Sequence, residues 1–224
     1  MSAQETGTVV HDIINQAGRR ILVIDQASAA DMTGLMYEYI NEYGVWGLNP
    51  YSATGVENNT NDNVPFIHGF DSVAMRRSPF WTGQLQHHVE KFFGSGFVPY
   101  DCSVNNGRFG DNPLDHRDNY DKHSENITLL LYLNPVWNLN HGGETVFFSD
   151  QSEIEFSVLP KFCRMLMFDS YINHAARPPS RLFHGTRYTL AIKLTRAASS
   201  NGAAGAEERD RQSRFAYLNK TLFG

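Results

Sequence analysis

Residues 116–134 read HRDNYDKHSENITLLLYLN: a histidine and an aspartate one residue apart, followed by a run of β-branched, aliphatic and aromatic residues. The run ITLLLYLN has the composition and length of a buried strand. In an extended chain residues i and i+2 point to the same face, so the His116 imidazole and the Asp118 carboxylate can converge on one ion. They can equally be two polar residues at a loop edge. Among nine histidines an H-x-D spacing arises easily by chance, so the choice turns on a third ligand.

Working outward, the same grammar recurs on both sides. FVPYDCSVN, ETVFF, EIEFSV, FCRMLMF and RYTLAIKL are brief apolar runs separated by Gly, Pro, Asn and Asp. Many short strands with no helices between them predict a sandwich, jelly roll or small barrel. Before them, AADMTGLMYEYINEYG places Met32, Leu35, Met36, Tyr39, Ile40 and Tyr43 at the spacing of one helical face. SPFWTGQLQHHVEKFFGSG stacks Trp81, Leu85, Val89 and Phe92 and ends at glycines suited to a C-cap. Adjacent His87 and His88 do not share a helical face and read as ordinary helix surface. Between the two helices a stretch rich in Asn, Gly and Pro, centred on residues 51–66, predicts a polar lid.

This gives residues 1–96 as helical and strand support with a lid loop, 97–197 as the core, and 198–224 as linker and C-terminal helix, one domain overall. In the last segment Phe215, Leu218 and Leu222 space a short amphipathic helix, which could pack on the core or on a second copy in a homodimer.

A chain of 224 residues with net charge −5 offers no general attraction to nucleic acid. No apolar run approaches a membrane span, and the polar N-terminus predicts a cytoplasmic protein. Two cysteines, Cys102 and Cys163, are too few for a disulfide scaffold and read as buried apolar residues.

The third ligand follows the strand FCRMLMF: His174. Two histidines and one carboxylate on neighbouring strands form the facial triad that leaves positions of an Fe(II) ion open for substrate and O₂. Arg187 opens the strand RYTLAIKL, and a guanidinium inside a barrel has to find an anion, to which its planar fork is matched as a carboxylate partner.

HRD, ITLLLYLNPVWNLNHGGETVFF, PKFCRMLMFDSYINHAARP and GTRYTLAIKL, in that order, resemble the Fe(II)/2-oxoglutarate-dependent dioxygenases, most closely the prolyl-hydroxylase-like branch. The resemblance implies a double-stranded β-helix (jelly-roll, cupin-like) core, mainly β with flanking helices. It implies that His116, Asp118 and His174 bind Fe(II), that Arg187 pairs with the distal carboxylate of 2-oxoglutarate, and that Tyr132 hydrogen-bonds the same group. The GGET turn, Gly142 to Thr145, reads as structural. The chain departs from the family in a longer, asparagine-bearing segment before the H-x-D and in the insertion PPSRLFHG between His174 and Arg187. With Asp118 present, hydroxylation, desaturation or ring closure is expected rather than halogenation. The lid and the insertion point to Asn61, Arg177 and Arg181 as contacts to a polar small-molecule substrate. The competing readings are a peptidyl hydroxylase and a non-catalytic metal- or sugar-binding jelly roll.

Overall fold

The computed structural model describes residues 7–48, 66–111 and 113–197. The expected lid loop with Asn61 and the expected C-terminal helix lie outside the described residues. The order is β1 (Thr8–Ile14), β2 (Arg20–Asp25), α1 (Ala30–Tyr43), β3 (Gly47–Leu48), β4 (Phe66–Phe70), α2 (Ser72–Arg77), a π-turn (Trp81–Leu85), α3 (Gln86–Phe93), β5 (Phe97–Gly107), β6 (Ile127–Tyr132), a 3-10 turn (Leu139–His141), β7 (Thr145–Phe148), β8 (Ile154–Val158), β9 (Met165–Asp169), β10 (His174–Ala176) and β11 (Arg187–Arg196). All six apolar runs of the core are strands.

An eight-stranded sheet in the order β1-β2-β9-β6-β11-β5-β4-β3 faces a three-stranded sheet in the order β10-β7-β8. The named pairings are antiparallel, and the architecture is a jelly roll. Strand β6 is buried along its whole length because both faces of the large sheet are covered, which is why its sequence shows a continuous apolar run rather than alternation. Leu130 and Tyr132 point inward with Phe147, Leu166, Phe168 and Ala191. Leu129 and Leu131 point outward against Ile40, Trp81, Leu85 and Val89 of the helical layer. Each such side chain contributes about 1.5–3 kcal/mol by leaving water.

Two helical expectations are corrected. Met32, Met36 and Ile40 of the expected face do pack on the core, joined by Thr33 and Tyr37, while Leu35, Tyr39 and Tyr43 are exposed. Apolar residues occur on more than one face of that helix, so spacing alone drew the buried stripe too wide. His88 is not helix surface: it is 3% exposed, and its Nε2 meets the Ala27 carbonyl at 2.8 Å. Burial, helped by neighbouring His87, pushes its pKa down to about 4. Cys102 and Cys163 are buried free thiols. No helix among the described residues is long and apolar enough to cross a membrane.

Candidate metal centre and anion pocket

His116 and His174 are brought together by backbone before any side chain is considered. Each donates its N–H to the other's carbonyl at 2.9 Å, an isolated antiparallel bridge between the H-x-D loop and the start of β10. The loop is tied further by Asn119 N–H donating to the Ser170 carbonyl at 3.0 Å and by the Asn173 amide donating to Asp115 at 2.8 Å.

The ligand-capable atoms of His116, Asp118 and His174 lie within 4.8 Å of one another. The Nδ1 atoms of His116 and His174 meet the carbonyls of Leu114 at 3.1 Å and Ile172 at 3.0 Å. A carbonyl only accepts, so both Nδ1 atoms carry a proton and it is the Nε2 atoms that are turned toward Asp118. Those Nε2 atoms lie 3.8 and 3.6 Å from the Asp118 carboxylate. Two imidazoles and one carboxylate on one side of a point are a donor set suited to a divalent ion with open positions.

Burial alone would raise the Asp118 carboxyl, but Lys193, the two imidazoles and the Thr128 hydroxyl outweigh it and hold the group well below the usual carboxylate range. Burial together with the neighbouring His116 pushes His174 down to about 4, so its ring is neutral near pH 7.

Along β11, Arg187, Thr189, Ala191 and Lys193 share the interior face, opposite Gly107, Asn105, Ser103 and Asp101 of β5. Across β6, Thr189 faces Tyr132 and Lys193 faces Thr128. Arg187 therefore lies at one end of this face, and Asp118, which touches Thr128 and Lys193, at the other.

Arg187 is 3% exposed. Its Nε donates to the Gly143 carbonyl at 2.8 Å and its Nη2 to the Thr145 hydroxyl at 3.1 Å, with the guanidinium 5.2 Å from the Tyr132 ring centre. Tyr132 donates its own hydroxyl to Thr145 at 2.8 Å. Among the described residues no carboxylate comes within ion-pair distance of this cation. The adjacent Thr189 hydroxyl is buried with no hydrogen-bond partner among them. A buried cation beside an orphan hydroxyl is a cradle for a carboxylate.

The GGET turn does more than close a hairpin. Gly143 stands at φ +76°, and a Cβ there would come within 2.9 Å of Trp137 and 3.2 Å of the Arg187 Cδ. Only glycine lets its carbonyl meet the guanidinium under the Trp137 ring.

His116, Asp118 and His174 thus cluster at one end of the face, and Arg187 and Tyr132 at the other. Arg177 and Arg181 join neither group. Both are exposed, and Arg177 stacks over Phe148 at 5.6 Å. The inserted segment packs instead on the 3-10 turn, where Phe183 meets Trp137 at 4.4 Å and His141 at 4.8 Å. Sequence reasoning missed Thr128, Thr145, Thr189 and Lys193. For Thr189 and Lys193 a signal existed, since both stand an even number of residues from Arg187 on one strand and so share its face.

Residues 102–192 match the model of the 2OG-Fe(II) oxygenase superfamily. No curated protein matches the chain in sequence. Among solved structures, a Pseudomonas putida prolyl-4-hydroxylase aligns at 17% identity and TM-score 0.55 over 81% of this chain and 95% of its own. A Trichoplax adhaerens prolyl hydroxylase in complex with a hypoxia inducible factor peptide fragment aligns at 19% identity and TM-score 0.56 over 85% and 86%. The non-heme alpha ketoglutarate dependent carbocyclase SnoK from nogalamycin biosynthesis aligns at 10% identity and TM-score 0.58 over 79% of each chain. At these identities the neighbours show the shared fold. The match over residues 102–192, together with the shared fold, supports an enzyme of the 2OG-Fe(II) oxygenase type, dependent on Fe(II), 2-oxoglutarate and O₂.

Proposed function

We propose that His116, Asp118 and His174 hold the Fe(II), that Arg187 anchors the distal carboxylate of 2-oxoglutarate, and that the enzyme hydroxylates an unactivated C–H bond of a polar small molecule. One observation carries the reading: a convergent His, Asp, His donor set and a buried guanidinium with no carboxylate partner among the described residues stand at opposite ends of one interior face. When bound, the iron couples decarboxylation of 2-oxoglutarate, to succinate and CO₂, to oxidation of the substrate.

The chain's own residues orient and shield. The Gly143 carbonyl and Thr145 hydroxyl fix the Arg187 fork, so little freedom remains to be lost when a carboxylate arrives. Tyr132 and Thr189 flank that anchor with hydroxyl groups. Leu130, Phe147, Phe168 and Ala191 keep water from the interior. Asp118 stays ionised, and the Leu114 and Ile172 carbonyls hold each imidazole by its Nδ1–H so that Nε2 faces the carboxylate.

The polarity of the substrate is read from the β5 wall. Asp101, Ser103 and Asn105 face the same side as Lys193, Ala191 and Thr189, a lining that favours a hydrogen-bonding molecule over an apolar one. The neighbours support a second reading, since two of them are prolyl hydroxylases and one was solved with a peptide fragment. The carbocyclase keeps ring closure open as an outcome of the same chemistry.

The test is succinate release with Fe(II), 2-oxoglutarate and a panel of amino acids, sugars, natural-product intermediates and proline-containing peptides, with product masses read in parallel. A polar small molecule that couples stoichiometrically and gains one oxygen is the expected result. Coupling by peptides alone would replace this reading with the peptidyl one, and a product lacking two hydrogens would replace hydroxylation with ring closure or desaturation.

A further inference from the structure

Lys193 leaves β11 on the interior face, opposite Asp101 on one neighbour and Thr128 on the other. The ladder with β5 slips there: Lys193 pairs with Asp101 and Leu194 with Pro99, leaving Tyr100 as the extra residue of a bulge. Bulges bend a strand and re-aim its side chains, and they recur beside active sites. Here the result is an ammonium whose Nζ stands 3.2 Å from Asp118 Oδ1 and 3.3 Å from Asp101 Oδ2.

The other oxygen of the same carboxylate is held as well. Thr128 donates its hydroxyl to Asp118 Oδ2 at 2.6 Å, and Ser170 Oγ lies 2.9 Å from that hydroxyl. Asp118 is thus gripped at both oxygens from two adjacent strands, although it sits in a loop. The terminal torsion of an aspartate is soft and broad, so without such grips the carboxylate plane is free to turn. Each oxygen offers two lone pairs, and one grip apiece leaves one free toward the imidazoles. A pair between exposed side chains would fix nothing measurable. This one has side-chain exposures of 21% for Lys193 and 6% for Asp118.

We propose that Lys193 is a positioning residue for the metal site: from the β5 bulge it fixes the rotation of the Asp118 carboxylate and so the geometry this ligand offers the ion. The proposal rests on the reading of His116, Asp118 and His174 as the metal ligands. It is distinct from a role for Lys193 as a competing cation, which would hinder metal entry.

The experiment is Co(II) titration of the chelator-treated protein, followed by visible absorption, for wild type, Lys193→Met, Lys193→Arg, Thr128→Val and Asp118→Ala. Partners that orient metal ligands typically contribute about 10–100-fold in affinity. Lys193→Met should lose that much and shift the Co(II) bands. Thr128→Val, which removes the opposite grip at nearly constant volume, should change both readouts in the same direction. Lys193→Arg keeps the charge and should recover most of the affinity. If Lys193→Met fails to fold by thermal unfolding, the arginine and Thr128→Val variants decide through the band pattern, and bands identical to wild type in both would overturn the proposal. A folded Lys193→Met with unchanged or tighter Co(II) binding and unchanged bands would overturn it too. Asp118→Ala separates the two levels, because wild-type binding in that variant would overturn the ligand reading itself.

Discussion

Replacing Arg187 by methionine separates an anchor from a structural cation. In the ligand-free protein the substitution removes two hydrogen bonds from a charged donor, to Gly143 and Thr145, together about 3–6 kcal/mol by the usual scale. It also removes a buried charge that has no carboxylate partner among the described residues, a desolvation cost of several kcal/mol. The two effects oppose each other at similar size, so the ligand-free variant should unfold within about 2 kcal/mol of wild type. With 2-oxoglutarate the balance changes. Deleting one partner of a buried hydrogen-bonded charge pair costs about 2–5 kcal/mol, which is roughly 30-fold to several thousand-fold in affinity.

Thermal unfolding with Mn(II), without oxygen, reads both quantities. At 2-oxoglutarate one hundred times its dissociation constant, wild type should gain about 2.7 kcal/mol, a rise of roughly 5–10 °C for a chain of this size. Arg187→Met should gain almost nothing at the same concentration. Arg187→Lys keeps the charge without the fork and should fall between. A full ligand-dependent rise in Arg187→Met would refute the reasoning and move the anchor, with Arg181 and Arg177 next to examine. A ligand-free loss above about 4 kcal/mol would show that the guanidinium is structural instead.

Two further outcomes follow from the same contacts. Gly143→Ala places a Cβ 2.9 Å from Trp137 and 3.2 Å from the Arg187 Cδ at φ +76°. It should cost about 1–3 kcal/mol in denaturant unfolding and weaken 2-oxoglutarate binding. Gly142→Ala, where the nearest atom to a Cβ is 3.4 Å away on Ser180, should cost stability alone, and equal 2-oxoglutarate affinity in both variants would remove Gly143 from the anchor. His88 titrates in the unfolded chain near 6.5 but in the folded protein at about 4. Between those values the unfolded state binds more protons, so stability present above pH 6.5 is lost as the pH falls toward 4, on the order of 3 kcal/mol. His88→Gln should flatten urea-unfolding stability over that window, and an unchanged slope would assign the loss to other groups.

Strands β6, β7, β9 and β11 were legible because a strand buried on both faces, or nearly so, leaves only apolar β-formers to write, and β5 and β8 because their apolar residues recur among polar ones along a half-exposed strand. Their bounding Gly, Pro and Asn need no partner to be read. His174 was legible for a related reason: it starts β10 directly after a strong strand and turn. Strand β1 left no such trace, since its pattern is exposed nearly throughout and it exists only through its pairing with β2. The exposed Leu35, Tyr39 and Tyr43 of α1 show the opposite failure, where periodicity is present but the buried face includes Thr33, a residue no hydrophobic count selects. His88 is buried by a carbonyl 61 positions away. Lys193 reads as an ordinary polar residue within RYTLAIKL, because the groups that hold it, Asp101 and Asp118, belong to other elements of the fold. Thr145 was absorbed into a turn motif for the same reason, its guanidinium partner lying 42 positions on.

The two ends of the site are built on different principles. Arg187 and Tyr132 stand on the neighbouring strands β11 and β6 and Thr145 on β7 of the facing sheet, so the anchor inherits the rigidity of both sheets. His116 and Asp118 stand on a loop, which must be fastened from outside. Arg117, between them in sequence, donates to the Tyr171 carbonyl at 2.7 Å and to Asp150 at 2.9 Å, with its guanidinium 4.1 Å from the Tyr171 ring centre. Arg19 covers the same ring at 4.3 Å and reaches Asp169 at the end of β9. The middle residue of the H-R-D motif thus fastens His116 and Asp118 to the turn that leads into His174. Together with the His116 to His174 backbone bridge, this sets the spacing between imidazoles by main-chain geometry, leaving Asp118 the ligand whose orientation depends on side-chain partners. If the three hold the ion as proposed, the rotation of one carboxylate is the degree of freedom on which the metal geometry turns, and Thr128 and Lys193 hydrogen-bond or pair with its two oxygens.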